Sequence, residues 1–270
     1  MKKLLLAAVL SFCGFPHPFT TGFAQPTAEQ VVPPLAELFQ EPLVGDRPDF
    51  TESATTVPPG RVMLETGYTN TRFGDVTVHT IGEVLFRYGF VRNWELRIGL
   101  NSYSIVDTDG EEDVEGLEDT TIGLKIRFLE NKKAVPELAC ILNTSLPTGS
   151  DNFRISRWQP AAVLAVGWDV QSIFSVGANL GFSSLVVDDV RIDQVRGSVS
   201  LGLPLSDKWS VFGEWFGLSL DHEGGTDLHY LDGGFTFLVT PDLQFDFRVG
   251  YGLNGVTPDD FIGMGAVIRW

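Results

Sequence analysis

Charged residues in this 270-residue chain recur at every second position: Glu95 with Arg97, Lys125 with Arg127, Asp246 with Arg248. Glu65, Glu83, Arg87, Glu137, Arg196 and Asp232 sit in similar settings, each beside an apolar neighbour. Residues two apart share a face only in extended chain, so this spacing gathers carboxylates, guanidiniums and an ammonium on one side of a set of strands. The chemistry open to such a face is ionic. Mixed signs suit a salt-bridged network that fills an interior, and they also suit the lining of a passage that selects a solute. Any polar interior needs the network, and it accounts for most of these residues one by one.

Other chemistry has less to work with. Beyond residue 24 the histidines are His79, His222 and His229. His222 and His229 stand near Asp221 and Asp227, the place a hydrolase would use, but no G-x-S-x-G nucleophile motif accompanies them. There is no Cys/His cluster with metal-ligand spacing and no phosphate-cradling glycine loop, so no cofactor and no catalytic centre are expected. The acidic run Asp107–Asp119 contains D-T-D-G-E-E-D, which resembles part of a calcium loop. It lacks the twelve-residue ligand spacing and reads as a solvated loop.

The elements that carry the charges are strands. From Arg61 onward the sequence alternates apolar and polar residues, with no helical period. The first strand is Arg61–Tyr68, the second about Val76–Tyr88, the third Trp94–Leu100 and the fourth Ile122–Phe128. Leu138–Thr144 is the fifth, and Ala162–Trp168, almost wholly apolar, is the sixth. Ile173–Phe182, Ile192–Leu203 and Lys208–Leu220 follow; Glu214 among the aromatics of the last leaves its phase open. Leu231–Val239, Leu243–Tyr251 and Phe261–Trp270 complete a set of twelve. Ten or fourteen strands stay open, because the sixth and ninth are poorly phased.

The connections alternate in length. After the even strands they are short (V-R-N, E-N-K-K-A, D-V-Q, S-D-K, T-P-D), and after the odd strands they are longer and often acidic. Short turns at one end and long loops at the other are what an antiparallel transmembrane β-barrel of about twelve strands requires, with both termini on the periplasmic, short-turn side. Tyr88, Trp94, Phe128, Trp168, Trp209 and Trp270 lie next to the short turns, where a periplasmic aromatic girdle belongs. Phe261–Trp270 (F-I-G-M-G-A-V-I-R-W) ends on an aromatic and resembles the closing-strand signal of Gram-negative outer-membrane barrels. The expected partners are outer-membrane lipid, the barrel-assembly machinery through that last strand, and a small solute.

Composition narrows the class. No apolar run after the first two dozen residues approaches the roughly 20 that a membrane helix needs, while a mean hydropathy of +0.09 fits strands that are apolar on alternate residues only. Residues 1–24 read as a cleaved signal peptide, with Lys2 and Lys3, an apolar core Leu4–Phe12, and Gly22-Phe23-Ala24 before the cut. Cleavage before Cys13 as a lipoprotein fits poorly because Phe12 is bulky. Removal takes two lysines and no acids, so the net charge moves from −16 to −18; nucleic acid is excluded as a partner. Cys140 is then the only cysteine and no disulfide framework is available. Residues 25–60, rich in proline, read as a periplasmic lead-in or a plug, with residues 61–270 forming the barrel. Inside the lumen, Arg47, Asp49 and Glu52 would pair with wall charges.

The segment Asp46–Tyr68, D-R-P-D-F-T-E-S-A-T-T-V-P-P-G-R-V-M-L-E-T-G-Y, resembles the N-terminal signature of an outer-membrane transporter family named for a MetA pathway of phenol degradation. L-P-T-G at Leu146–Gly149 is similar to a second family feature. The resemblance implies an outer-membrane barrel and passive uptake of small hydrophobic or aromatic compounds. A closed structural or adhesive barrel is the main alternative and an outer-membrane hydrolase a lesser one.

Overall fold

Alternating residues build a single antiparallel sheet that closes on itself. The computed structural model describes residues 42–130, 135–170, 173–187, 189–221, 227–255 and 257–270. The expected signal peptide, the lead-in before residue 42 and His222 lie outside the described residues. The strands are β1 (Val62–Phe73), β2 (Val76–Val91), β3 (Trp94–Gly99), β4 (Tyr103–Thr108), β5 (Val114–Leu117), β6 (Thr120–Leu129) and β7 (Glu137–Leu146). They continue as β8 (Gln159–Val170), β9 (Phe174–Val187), β10 (Val190–Pro204), β11 (Trp209–Asp221), β12 (Leu228–Thr240), β13 (Leu243–Gly252) and β14 (Asp260–Arg269).

Each strand pairs with its neighbours, and β1 closes the sheet by pairing with both β2 and β14. Two strands of the barrel are broken. β2 pairs with β3 along Leu85–Val91 and with β4 along Val76–Ile81, so β3 and β4 act as one interrupted strand; β5 and β6 do the same beside them. The fourteen segments therefore make a closed barrel of twelve strands. Closure leaves the ring of twelve strands without a free ladder edge, which hydrocarbon would not tolerate, and β5 pairs with β4 alone.

The faces are inverted relative to a water-soluble barrel. Leu164, Leu180, Phe182, Leu201, Phe245, Val249, Met264 and Ile268 are exposed on the outer wall, while Glu65, Arg87, Glu95, Lys125, Glu214 and Asp246 are buried. Large apolar side chains outside and charges inside are stable only when the outer solvent is lipid.

Three differences from the expected elements have physical causes. Most of the acidic run Asp107–Asp119, expected as a loop, is hairpin, because β4 and β5 add to the ladder of β2 through backbone pairing. The connections after β1 and β9 are tight rather than long, with β2 starting at Val76 and β10 at Val190. The strand around Ala162–Trp168 is apolar on both faces because Val163 and Ala165 join Ala139, Ile141 and Ala54 in a small core inside the barrel.

Candidate functional site

Residues 42–60 go into the barrel and come back out at the same end. The Leu43 N–H donates to the Pro241 carbonyl (2.8 Å), in the turn between β12 and β13, and the Gly60 N–H to the Gly89 carbonyl (2.6 Å), near the turn between β2 and β3. Between these anchors Leu43, Asp46, Thr51, Ala54, Thr56 and Val57 are buried. A buried stretch outside any ladder must find other acceptors for its N–H groups. Wall side chains supply them. Glu65 accepts from the N–H groups of Asp46 and Arg47 (both 3.0 Å), and Glu214 from those of Phe50 (2.6 Å) and Thr51 (2.7 Å). Asn179 accepts from Glu52 (2.7 Å) and Glu95 from Val57 (2.9 Å).

Asp46 is the hub of the charge network. Arg97 donates to it at 2.5 Å, Lys125 at 3.0 Å, and the Arg87 guanidinium stands 3.4 Å away. Burial would raise its pKa, but the charges of Arg87, Lys125 and Arg97 outweigh burial and hold the carboxyl well below the usual range. Around this centre Arg87 bonds Glu65 (2.7 Å) and takes Glu95 with two nitrogens (2.8 and 3.0 Å). Glu52 bridges Arg97 (2.8 Å) and Arg196 (3.0 Å), while Arg127 bonds Glu137 (2.7 Å), which also accepts from the Thr55 hydroxyl (2.8 Å). Arg87 and Lys125 have no exposed side-chain surface. Every charge here has its partner, as burial demands.

Glycine makes room for the segment. Gly67 and Gly265 face each other across β1 and β14, and a Cβ on either would collide with the Arg47 guanidinium. Lying over this bare patch, Arg47 reaches Glu83 (2.6 Å) and Asp246 (3.2 Å). Glu83 is itself presented by a bulge: Glu83 and Val84 together oppose Thr66, and Glu83 has φ +40°. At Gly89 a Cβ would meet the carbonyls of Val57 and Pro58. A cavity of about 230 Å³ remains between segment and wall, bordered by Asp46, Arg47, Glu52, Glu83, Leu85 and Arg97.

Of the wall charges expected from spacing, Glu65, Glu83, Arg87, Glu95, Arg97, Lys125, Glu137, Arg196 and Asp246 touch residues 46–57, and Arg127 joins them through Glu137. Asp232 and Arg248 stand apart. Asp232 is buried opposite Glu214 with neither carboxylate oxygen hydrogen-bonded, and Arg248 donates to Thr69 (3.2 Å). Asp46, Asn179 and Glu214 were not anticipated. Glu214 is the lone acid of β11 and falls on the parity of the wall charges, which is the signal that could have placed it. The aromatics Trp94, Phe128, Trp168, Trp209 and Trp270 are exposed on the outer wall, with Tyr88 half-buried. Trp209 packs on Phe237 at 4.5 Å. His229 stacks on Trp215 (5.8 Å), away from the charge network. Among the described residues, the acidic run included, no group of three or more His, Cys, Asp or Glu is placed to hold a metal ion.

Comparison with known proteins agrees with this geometry. The family model described as "Putative MetA-pathway of phenol degradation" matches residues 45–270, which takes in the segment inside the barrel. A search of curated proteins finds no match. Among solved structures the chain is similar to the COG4313 outer membrane channel from Pseudomonas putida F1, at 13% identity and TM-score 0.64, covering 80% of this chain and 98% of that one. It is also similar to the NanC porin, at 10% identity and TM-score 0.54, covering 77% and 98%. At these identities the likeness is one of fold: an outer-membrane β-barrel.

Proposed function

Because the chain belongs to the MetA-pathway of phenol degradation family, we propose that it is an outer-membrane channel for passive uptake of small hydrophobic or aromatic compounds, with residues 42–60 as a built-in plug. Its working location is the outer membrane, reached with the help of a cleaved signal peptide, and both termini are periplasmic. The barrel-assembly machinery engages the last strand. The protein is a conduit, not an enzyme.

The observation that carries this reading is the kind of material that fills the lumen. A barrel closed for good is filled by the side chains of its own wall. Here the wall retreats to glycine at Gly67, Gly89 and Gly265, and a separate stretch of chain takes the space. Beside small apolar contacts at Leu43, Ala54 and Val57, that stretch is held by hydrogen bonds and ion pairs, which can exchange for water. Its two anchors lie at one end, so it can leave without unpairing a strand. Energy coupling is not required, since solute would move down its gradient.

The complete burial of Arg87 and Lys125 favours the second reading, a barrel that stays shut as a structural or adhesive element. Swelling of liposomes carrying the full chain or a variant lacking Gln25–Pro59 separates the two. A channel with a plug swells faster in small solutes once the segment is gone. A barrel held permanently shut admits none as the full chain, and opens only when the segment that covers Arg87 and Lys125 is deleted.

A further inference from the structure

Beside the charge network the lumen holds a run of aromatic rings with a guanidinium at each end. Phe50, at the inner turn of the 42–60 segment, stacks on Phe216 of β11 with centroids 4.4 Å apart and planes 10° from parallel. Phe216 stacks in turn on Tyr230 of β12 (4.5 Å, 13°). Phe261 of β14 meets Phe216 and Tyr230 at an angle, 6.3 and 6.2 Å away. Arg196 lies 5.5 Å from the centre of the Phe50 ring, and Arg248 lies 5.2 Å from that of Phe261. Phe216, Tyr230 and Phe261 are buried wall residues; Phe50 is only half-buried and is the sole member contributed by the segment.

We propose that the slot between Arg196 and Phe216 is a binding site for an uncharged, flat aromatic ring, and that Phe50 occupies it as an internal stand-in for that ligand. This deepens the channel reading, on which its role in uptake rests. The slot is selective for flatness because a stacked ring gains from an offset parallel neighbour, whereas a saturated ring of equal bulk does not. The cation–π contact of Arg196 adds to this preference, since it needs the electron-rich face of an aromatic ring. Charge counts against anions, because Glu214 accepts from the Phe50 N–H and stands opposite Asp232 across β11 and β12, so carboxylates border the slot. Arg196 also stays in place when the Phe50 ring swings aside. It is tied to Glu52 at 3.0 Å, and the Phe50 N–H remains on Glu214. The exchange therefore asks only for a change of side-chain rotamer at residue 50.

An internal competitor weakens the binding of an external ligand by the fraction of time it fills the site. The test uses the folded full-length barrel in detergent with two probes, 2-naphthol and its saturated counterpart decahydro-2-naphthol, each titrated calorimetrically. Phe50→Ala should bind 2-naphthol at least about tenfold more tightly than the unaltered chain, with little gain for the saturated probe. Adding Phe216→Leu or Arg196→Gln to Phe50→Ala should reverse most of that gain. Heat-modifiable gel mobility confirms that each variant is folded, and Phe50→Leu, which keeps apolar bulk but not flatness, should give an intermediate result. Equal affinity in Phe50→Ala and the unaltered chain, or an equal gain for both probes, overturns the site. Liposome uptake measured in parallel separates this from the channel reading. Uptake without tighter binding refutes the slot alone; tighter binding without uptake of any solute refutes the channel alone.

Discussion

Asp46 of the inner segment and Arg97 of β3 meet at 2.5 Å inside the barrel, with both side chains more than nine-tenths buried. Lys125 and Arg87 crowd the same carboxylate. Three wall cations therefore converge on one acid of the segment. Asp46→Asn leaves three buried cations short of a counter-charge, and breaking a buried ion pair from one side costs about 3–5 kcal/mol. The expected outcome is a segment released far more often while the barrel stays folded. Limited proteolysis of reconstituted protein should cut within residues 42–60 much faster in the variant, with heat-modifiable mobility retained.

Gly265 and Gly67 test the same hold by shape. A Cβ at either position collides with the Arg47 guanidinium, and at Gly67 the nearest atoms all belong to it, so Gly67→Val should push Arg47 off Asp246 and Glu83 without removing any charge. Single-channel recordings should show more frequent opening than in the unaltered chain. Gly255→Ala, where an added Cβ meets nothing, is the control and should record as unaltered.

The segment's docking should also depend on pH, through two acids of opposite sense. Burial and the nearby Glu214 carboxylate push Asp49 up to about 8, against the pull of the Ser200 hydroxyl. A released Asp49 ionises near the ordinary value of about 3.9, so its contribution to docking is complete below that value and is lost as pH rises toward about 8. Asp46 acts the other way. Its depressed pKa supports docking above about 3.9, and that support is lost as pH falls further. Protease protection of the segment should thus decline from about pH 4 to about pH 8, and Asp49→Asn should flatten the decline. Protection that rises over this range would refute the assignment.

How much of this was legible in the sequence follows from what each surface must satisfy. Lipid demands an apolar residue at every second position, so β13 (Leu243, Phe245, Phe247, Val249, Tyr251) declared its outer face, and Gln244, Asp246 and Arg248 fell inside by parity. The lead-in obeys no such rule. Asp46, Phe50 and Val57 each answer to a different wall residue, namely Arg97, Phe216 and Glu95, and no period records that. The same blindness hid the reason for β8, whose second apolar face exists because Ala54 packs against Val163 and Ala165. Gly67 and Gly265 show neither charge nor bulk in the sequence, yet they mark where Arg47 lies. The break between β3 and β4 left no signal, because β4 and β5 join the sheet by backbone pairing that the alternation of side chains does not record.

The central claim is that residues 42–60 close the lumen and that their displacement opens it. Ala54 and Gly167 allow a direct test, since a Cβ built at Gly167 lies 3.6 Å from that of Ala54, within the range for a disulfide. In a Cys140→Ser background, Ala54→Cys with Gly167→Cys should tether the segment when oxidised and free it when reduced. Planar-bilayer conductance of this variant is predicted to be low and quiet under oxidising conditions and to rise, with larger and more frequent openings, when a reductant is added. Conductance that is the same in both states would contradict the account.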